Sequence, residues 1–140
     1  VIDYLHTLET SYEFEGQPGN ARGLFHKPKA MQSNIIVKAG DWKLEEMIRE
    51  ARRGFYVEGL VKAEIDLYGN ITIVPELAWS IENGEIKGPV RLSYLKLALP
   101  NLKKIIIGLG REVKCRVSYE KTHRVCEYSP PLLLSSVFVV

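Results

Sequence analysis

The stretch Gly40-Asp41-Trp42-Lys43-Leu44-Glu45-Glu46-Met47-Ile48, continued by Arg49-Glu50-Ala51-Arg52 and ending in Arg53-Gly54-Phe55-Tyr56-Val57, decides how this chain is read. Leu44, Met47, Ile48 and Ala51 recur at i, i+3, i+4 and i+7, which puts them on one face of a helix. Asp41 is expected as the N-cap, its carboxylate accepting from the free N–H groups of the first turn. Glu45 and Arg49 stand one turn apart on the wet face, a pairing worth a few tenths of a kcal/mol. Arg49, Arg52 and Arg53 gather where the negative end of the helix dipole favours cations. Gly54 is expected to supply the left-handed stop.

Beyond the helix the hydrophobic period changes from 3.6 to two. Phe55-Tyr56-Val57, Val61-Lys62-Ala63-Glu64-Ile65-Asp66-Leu67 and Ile71-Thr72-Ile73-Val74 alternate as half-buried strands do. Tyr68-Gly69-Asn70 separates two of them as a tight turn. Asn83-Gly84, between Leu77-Ala78-Trp79-Ser80-Ile81 and Glu85-Ile86, is a strong two-residue hairpin signal. The two arms of that hairpin run on into Gly88-Pro89-Val90.

Upstream of the helix, Ile35-Ile36-Val37 is a β-branched strand candidate, and residues 15–29 read as a loop because Gly16, Pro18, Gly19, Gly23 and Pro28 interrupt any regular element. Residues 1–14 fit a strand followed by a helical turn. Downstream, Pro100 suits the first position of a short helix to about Ile106. The tail turns β-like again over residues 112–119, 132–134 and 137–140. The expected fold is α+β: mostly antiparallel strands, sandwich- or barrel-like, with one clear amphipathic helix and one short helix, in a single domain over residues 1–140.

A formal net charge of +2 over 140 residues, with cations interspersed among acids, argues against nucleic acid as a partner. Cys115 and Cys126 are too few for a disulfide framework, and no apolar run approaches the roughly 20 residues of a membrane span. A reduced cytoplasmic setting is the default expectation. The chain opens in Val1-Ile2-Asp3-Tyr4-Leu5 without a methionine, which fits a fragment or one chain of a larger assembly.

No nucleophile elbow, phosphate-binding glycine loop or His-Glu-x-x-His helix is present, and no catalytic residue is assigned. His6, His26 and His123 lie far apart, and each reads first as a packing or surface residue. Glu45-Glu46 and Glu82 with Glu85 read as solvated charge. The loop Pro18-Gly19-Asn20-Ala21-Arg22-Gly23 is the better candidate. Its asparagine tolerates a left-handed turn, and its amide and guanidinium suit an extended peptide or a carboxylate.

Taken in order, Gly19-Asn20-Ala21-Arg22, Ser33-Asn34, Gly40-Asp41 leading into the helix, the exit Arg53-Gly54-Phe55-Tyr56-Val57 and the hairpin Ile81-Glu82-Asn83-Gly84-Glu85-Ile86 resemble the C-terminal domain of the TldD/PmbA family, also labelled modulators of DNA gyrase. The resemblance implies a zinc metallopeptidase or its metal-free partner. In active members a His-Glu-x-x-x-His helix supplies zinc ligands, with its glutamate as base, and a later cysteine completes the site. This chain has no such helix. Cys115 is the nearest thiol to the family's cysteine position, and simple spacing points as readily to Ser118. Arg116-Val117-Ser118-Tyr119-Glu120-Lys121 stands where the family is glycine-rich.

The resemblance therefore implies part of a peptide-binding cleft, with Gly19, Asn20 and Arg22 as substrate contacts and Cys115 as at most one zinc ligand. The partner would be another TldD/PmbA-like chain or an upstream half carrying the metal helix, and the substrate an unfolded peptide. Two rival expectations are a non-catalytic PmbA-like scaffold subunit and a free-standing β-rich interaction module.

Overall fold

The computed structural model describes residues 5–23, 27–120 and 123–140. In chain order the elements are α1 (Leu8–Glu13), β1 (Ala21–Arg22), β2 (Lys29–Ala30), β3 (Ile35–Ile36), α2 (Leu44–Ala51), β4 (Arg53–Glu58), β5 (Lys62–Ile65), β6 (Asn70–Val74), β7 (Leu77–Glu82) and β8 (Glu85–Pro89). Then come β9 (Leu95–Ala98), a 3-10 turn (Leu99–Asn101), α3 (Leu102–Ile105), β10 (Ile106–Leu109), β11 (Lys114–Glu120), β12 (His123–Ser129), β13 (Leu132–Leu134) and β14 (Phe138–Val139). The fold is α+β. Among the described residues its strands form small sheets of two to four members, antiparallel except where β12 runs parallel to β3, and none of these sheets closes into a barrel. Two compact units result: residues up to 38 with 114–129, and residues 39–113 with 130–140.

In the second unit α2 forms where the apolar period places it. Met47 is 3% exposed, Leu44, Ile48 and Ala51 are half-buried, and Glu45, Arg49 and Glu50 face water. Its cap differs from the expected one. The segment before the helix stays extended because it is bonded to the end of β10: Gly40 N–H donates to Gly110 O, Trp42 N–H to Leu109 O and Arg111 N–H to Trp42 O. Trp42 is thus held in a bridge to Gly110, Asp41 sits at the bend between the bonded Gly40 and Trp42, and Lys43 is the N-cap. Glu46 reaches back, its carboxylate accepting from the Lys43 N–H at 2.9 Å, which is half of a capping box. Arg49 donates to the Glu45 carbonyl oxygen at 3.3 Å, within the backbone of its own helix.

The helix exit is a second correction. Arg52 takes the positive φ, +52 with ψ −55, at the C-cap, and Gly54 is already inside β4. The reason lies in the hairpin above it. Gly84 N–H donates to Arg52 O at 2.9 Å, and a Cβ on Gly84 would lie 3.0 Å from the Arg49 carbonyl oxygen. The β7–β8 turn therefore sits on the last turn of α2 and bonds the C-cap carbonyl of Arg52.

That turn is the one expected from Asn83-Gly84. Both residues have positive φ, +54 and +76, and Glu82 pairs directly with Glu85. Strand β4 adds antiparallel to β7, with Tyr56 opposite Trp79 and their rings 5.4 Å apart. The neighbouring sheet runs β14-β9-β6-β5. Its β5–β6 turn is fixed by Asp66, whose carboxylate accepts from the backbone N–H groups of Tyr68 and Asn70 and from the Asn70 amide at 2.8–2.9 Å. The expected short helix after Pro100 is the 3-10 turn and α3. Strands β9 and β10 were not expected in the apolar run around it.

In the first unit, β11 and β12 form a seven-residue antiparallel ladder, with β3 added on the far side of β12. The helical turn expected near the start is α1, capped reciprocally by Thr7 and Thr10. Residues 15–29 are less purely a loop than expected: Pro18 bridges to His6, and β1 pairs with β2, Ala21 opposite Ala30 and Arg22 opposite Lys29. Buried side chains here include Met31, Val125 and His6.

Candidate functional site

The sequence-predicted loop and the predicted thiol both belong to the first unit, and consecutive residues tie them together. Gly19 has φ +129, a conformation open to glycine, and Asn20 follows with its backbone N–H on His6 O and its carbonyl accepting from Met31 N–H at 2.8 Å. Arg22 turns its guanidinium back onto its own strand. Its Nη1 donates to Gly19 O at 2.9 Å and Ala21 O at 3.0 Å, and its Nη2 to Ser33 Oγ at 3.2 Å. Carbonyls two residues apart in an extended chain point to the same side. Asn20 O points toward β2, so the guanidinium covers the opposite edge of β1.

Ser33 Oγ also lies 3.5 Å from Asn20 Oδ1, while the next residue, Asn34, accepts the Cys126 N–H on its Oδ1 at 3.0 Å. Ser33 and Asn34 thus hold the Gly19–Arg22 loop with one side chain and the thiol-bearing strand with the other.

On the β11–β12 ladder Cys115 opposes Tyr128 and Val117 opposes Cys126. Alternation puts Cys115, Val117 and Tyr119 of β11 on one face with Arg124, Cys126 and Tyr128 of β12. Ser118 occupies the other face, where its hydroxyl lies 3.0 Å from Glu127 Oε1 and Arg116 pairs with the same carboxylate at 3.6 Å. Cys115 and Ser118 therefore cannot serve one ligand on one face. Cys115 is exposed and Cys126 half-buried, both as free thiols. The Tyr128 hydroxyl hydrogen-bonds to Cys115, and its proton is held above the ordinary tyrosine range by that bond, by negative charge on Cys115 and then on Cys126. Cys126 is not among the sequence-predicted site residues, since its place beside Cys115 depends on the ladder register.

The remaining candidates are placed elsewhere. His6 is buried to 3% with its ring against Gly16, so close that Gly16 admits no side chain. His123 begins β12, and His26 lies outside the described residues. Glu46 caps α2, and Glu82 and Glu85 flank the hairpin turn in the second unit. Lys87 hydrogen-bonds Glu85 at 2.6 Å, which lowers the carboxyl and raises the ammonium from their usual values. A cavity of about 520 Å³ in the second unit, lined by residues 74–78 and 90–93, contains none of the predicted site residues. Among the described residues no three His, Cys, Asp or Glu side chains converge as a metal site. Among the described residues Cys115 would offer zinc a single thiolate, and a zinc bound there would take its other ligands from outside those residues.

Comparison with known proteins gives a consistent picture. The profile of the PmbA/TldA metallopeptidase C-terminal domain matches residues 1–140. Metalloprotease MJ0996 of Methanocaldococcus jannaschii is 33% identical over 87 residues, 59% of this chain and 19% of that protein. A metalloprotease of Methanothermobacter thermautotrophicus is 27% identical over 118 residues, 82% of this chain and 26% of that protein. The fold is shared with a candidate modulator of a DNA gyrase from Thermotoga maritima, at TM-score 0.70 and 23% identity over 98% of this chain and 30% of that one. It is shared also with TldE of Thermococcus kodakarensis, at TM-score 0.72 and 19% identity over 93% of this chain and 29% of that one. The chain thus spans about a fifth to a quarter of the length of these curated relatives.

Proposed function

The chain belongs to the PmbA/TldA metallopeptidase C-terminal domain family, and from that membership we propose that it contributes to the peptide-binding cleft of a cytoplasmic TldD/PmbA-like metallopeptidase complex. The observation that carries the proposal is the Ser33-Asn34 tie, which fixes the Gly19–Arg22 loop and the Cys126 strand to one another through adjacent residues. Gly19, Asn20 and Arg22 form the wall against which an extended, unfolded peptide lies. Arg22 holds the loop backbone extended by its bonds to the Gly19 and Ala21 carbonyls, and so presents a preformed surface that loses little freedom on binding.

Zinc is the proposed cofactor, with Cys115 contributing one thiolate and the other ligands coming from an upstream half of the protein or a TldD/PmbA-like partner. When bound, zinc polarises a peptide carbonyl and lowers the pKa of bound water. This chain's own work is to bind and orient the peptide.

The test uses the intact protein that carries this chain. Arg22→Ala, which removes the bonds that hold the loop extended, is expected to weaken binding of a fluorescent unfolded peptide by about tenfold, and Cys115→Ser to lower its zinc content. Unchanged peptide affinity in Arg22→Ala would overturn the cleft, and unchanged zinc content in Cys115→Ser would overturn the ligand role.

The second reading is a non-catalytic PmbA-like scaffold subunit. The segment Arg116-Val117-Ser118-Tyr119-Glu120-Lys121, where the family pattern is glycine-rich, favours it. On that reading the purified assembly binds peptide without hydrolysing it unless a partner bearing the His-Glu-x-x-x-His helix is added.

A further inference from the structure

The exposed face of the β11–β12 ladder carries two thiols, and the register brings them to diagonal positions: Cys115 faces Tyr128, and Cys126 is two residues before Tyr128 on the same face. Diagonal neighbours in an antiparallel pair stand roughly 7–8 Å apart, their Cβ atoms somewhat less. A disulfide needs Cβ atoms about 3.5–4.5 Å apart, so this pair is too wide to close without moving the backbone. Two thiolates bridged by one metal ion have a longer reach. With metal–sulfur bonds of about 2.3 Å on each side, the sulfurs can stand as much as about 4.6 Å apart.

We infer that Cys115 and Cys126 together form a two-thiolate site for a soft monovalent cation with a filled d shell, copper(I) being the biological example. Thiolate donors select such soft ions. A filled-shell monovalent ion is satisfied by two sulfurs, whereas a tetrahedral ion needs more donors than this face provides: no third His, Cys, Asp or Glu joins the thiols among the described residues. Tyr128, directly opposite Cys115 and two residues from Cys126 on the same face, can donate its one hydroxyl proton to one sulfur at a time, the kind of outer contact that tunes metal thiolates. Cys115 is exposed and Cys126 half-buried, so an ion reaches the pair from solvent. The inference does not depend on peptidase function.

The test is an anaerobic titration of the intact, reduced protein with copper(I) in competition with a chromophoric copper(I) chelator. One equivalent per chain is expected. Because the thiols act as a tethered pair, Cys115→Ser and Cys126→Ser should each weaken binding by about 100-fold or more, and Tyr128→Phe by about tenfold. Serine replaces the thiol at nearly constant size, and circular dichroism verifies that each variant is folded. Unchanged affinity in Cys126→Ser, or two equivalents bound with one lost per substitution, would overturn the paired site. Cys126→Ser keeps the two ideas apart: it should abolish the paired copper(I) site and leave zinc content unchanged, whereas Cys115→Ser alone is expected to lower zinc content.

Discussion

Gly84 takes φ +76 immediately above the carbonyl of Arg49, and two costs attach to any side chain there. A Cβ in the left-handed region costs about 1–2 kcal/mol, and the helix backbone beneath it cannot move aside. Gly84→Ala is therefore expected to lower stability by about 1–2 kcal/mol in a urea melt, while Gly88→Ala, which meets nothing within 4 Å, changes little. The turn itself was legible because Asn-Gly carries its own conformational demand. The place of Cys126 beside Cys115 was not legible. Its partnership with Cys115 and Tyr128 depends on the β11–β12 register, and Lys121-Thr122 carries no Asn-Gly or Asp-Gly signal to set one. Arg22 was legible as a candidate, but its inward bonds to Gly19, Ala21 and Ser33 were not, since they need the loop's path.

Helix α2 shows what pattern reading does and does not reach. The apolar face follows from a period internal to the segment, and it is buried as read. The cap depends on what lies beside the helix: the bonds of Gly40 and Trp42 to Leu109–Arg111 hold Asp41 two residues short of the N-cap, and Glu46 closes the first turn instead. Glu46→Ala is expected to cost about 0.5–1 kcal/mol and Asp41→Ala much less, compared by thermal melts. The β5–β6 hairpin adds a pH dependence. The Asn70 amide and backbone bonds lower the Asp66 carboxyl from its ordinary value of 3.8. A carboxyl lowered on folding contributes stability that is present above the unfolded value and lost as pH falls through the folded one. The native protein should therefore lose stability progressively from about pH 5 downward. Asp66→Ala should show less of that dependence in urea melts at stepped pH. Strands β9 and β10 escaped notice because short apolar runs beside Pro100 do not distinguish strand from buried helix.

Across the molecule, large apolar side chains face solvent in both units. Leu67 is 104% exposed and Tyr68 87% at the β5–β6 tip, while Tyr12 is 82% exposed on α1. On the proposed reading other protein covers these side chains, and the chain spans under a third of each relative compared. No helix among the described residues is long and apolar enough to cross a membrane. Changing Leu67 and Tyr68 together to lysine is expected to leave the melting of the chain within about 0.5 kcal/mol, since neither is buried. The same change should reduce the mass of the assembly seen by native mass spectrometry. The central claim, that the Gly19–Arg22 loop lines a peptide cleft, is tested most directly by amide hydrogen exchange on the intact protein with and without an excess of unfolded peptide. The account predicts slowed exchange over residues 19–22 and the adjoining β2, lost in Arg22→Ala. Unchanged exchange over residues 19–22 under saturating peptide, with protection confined to other segments, would contradict it.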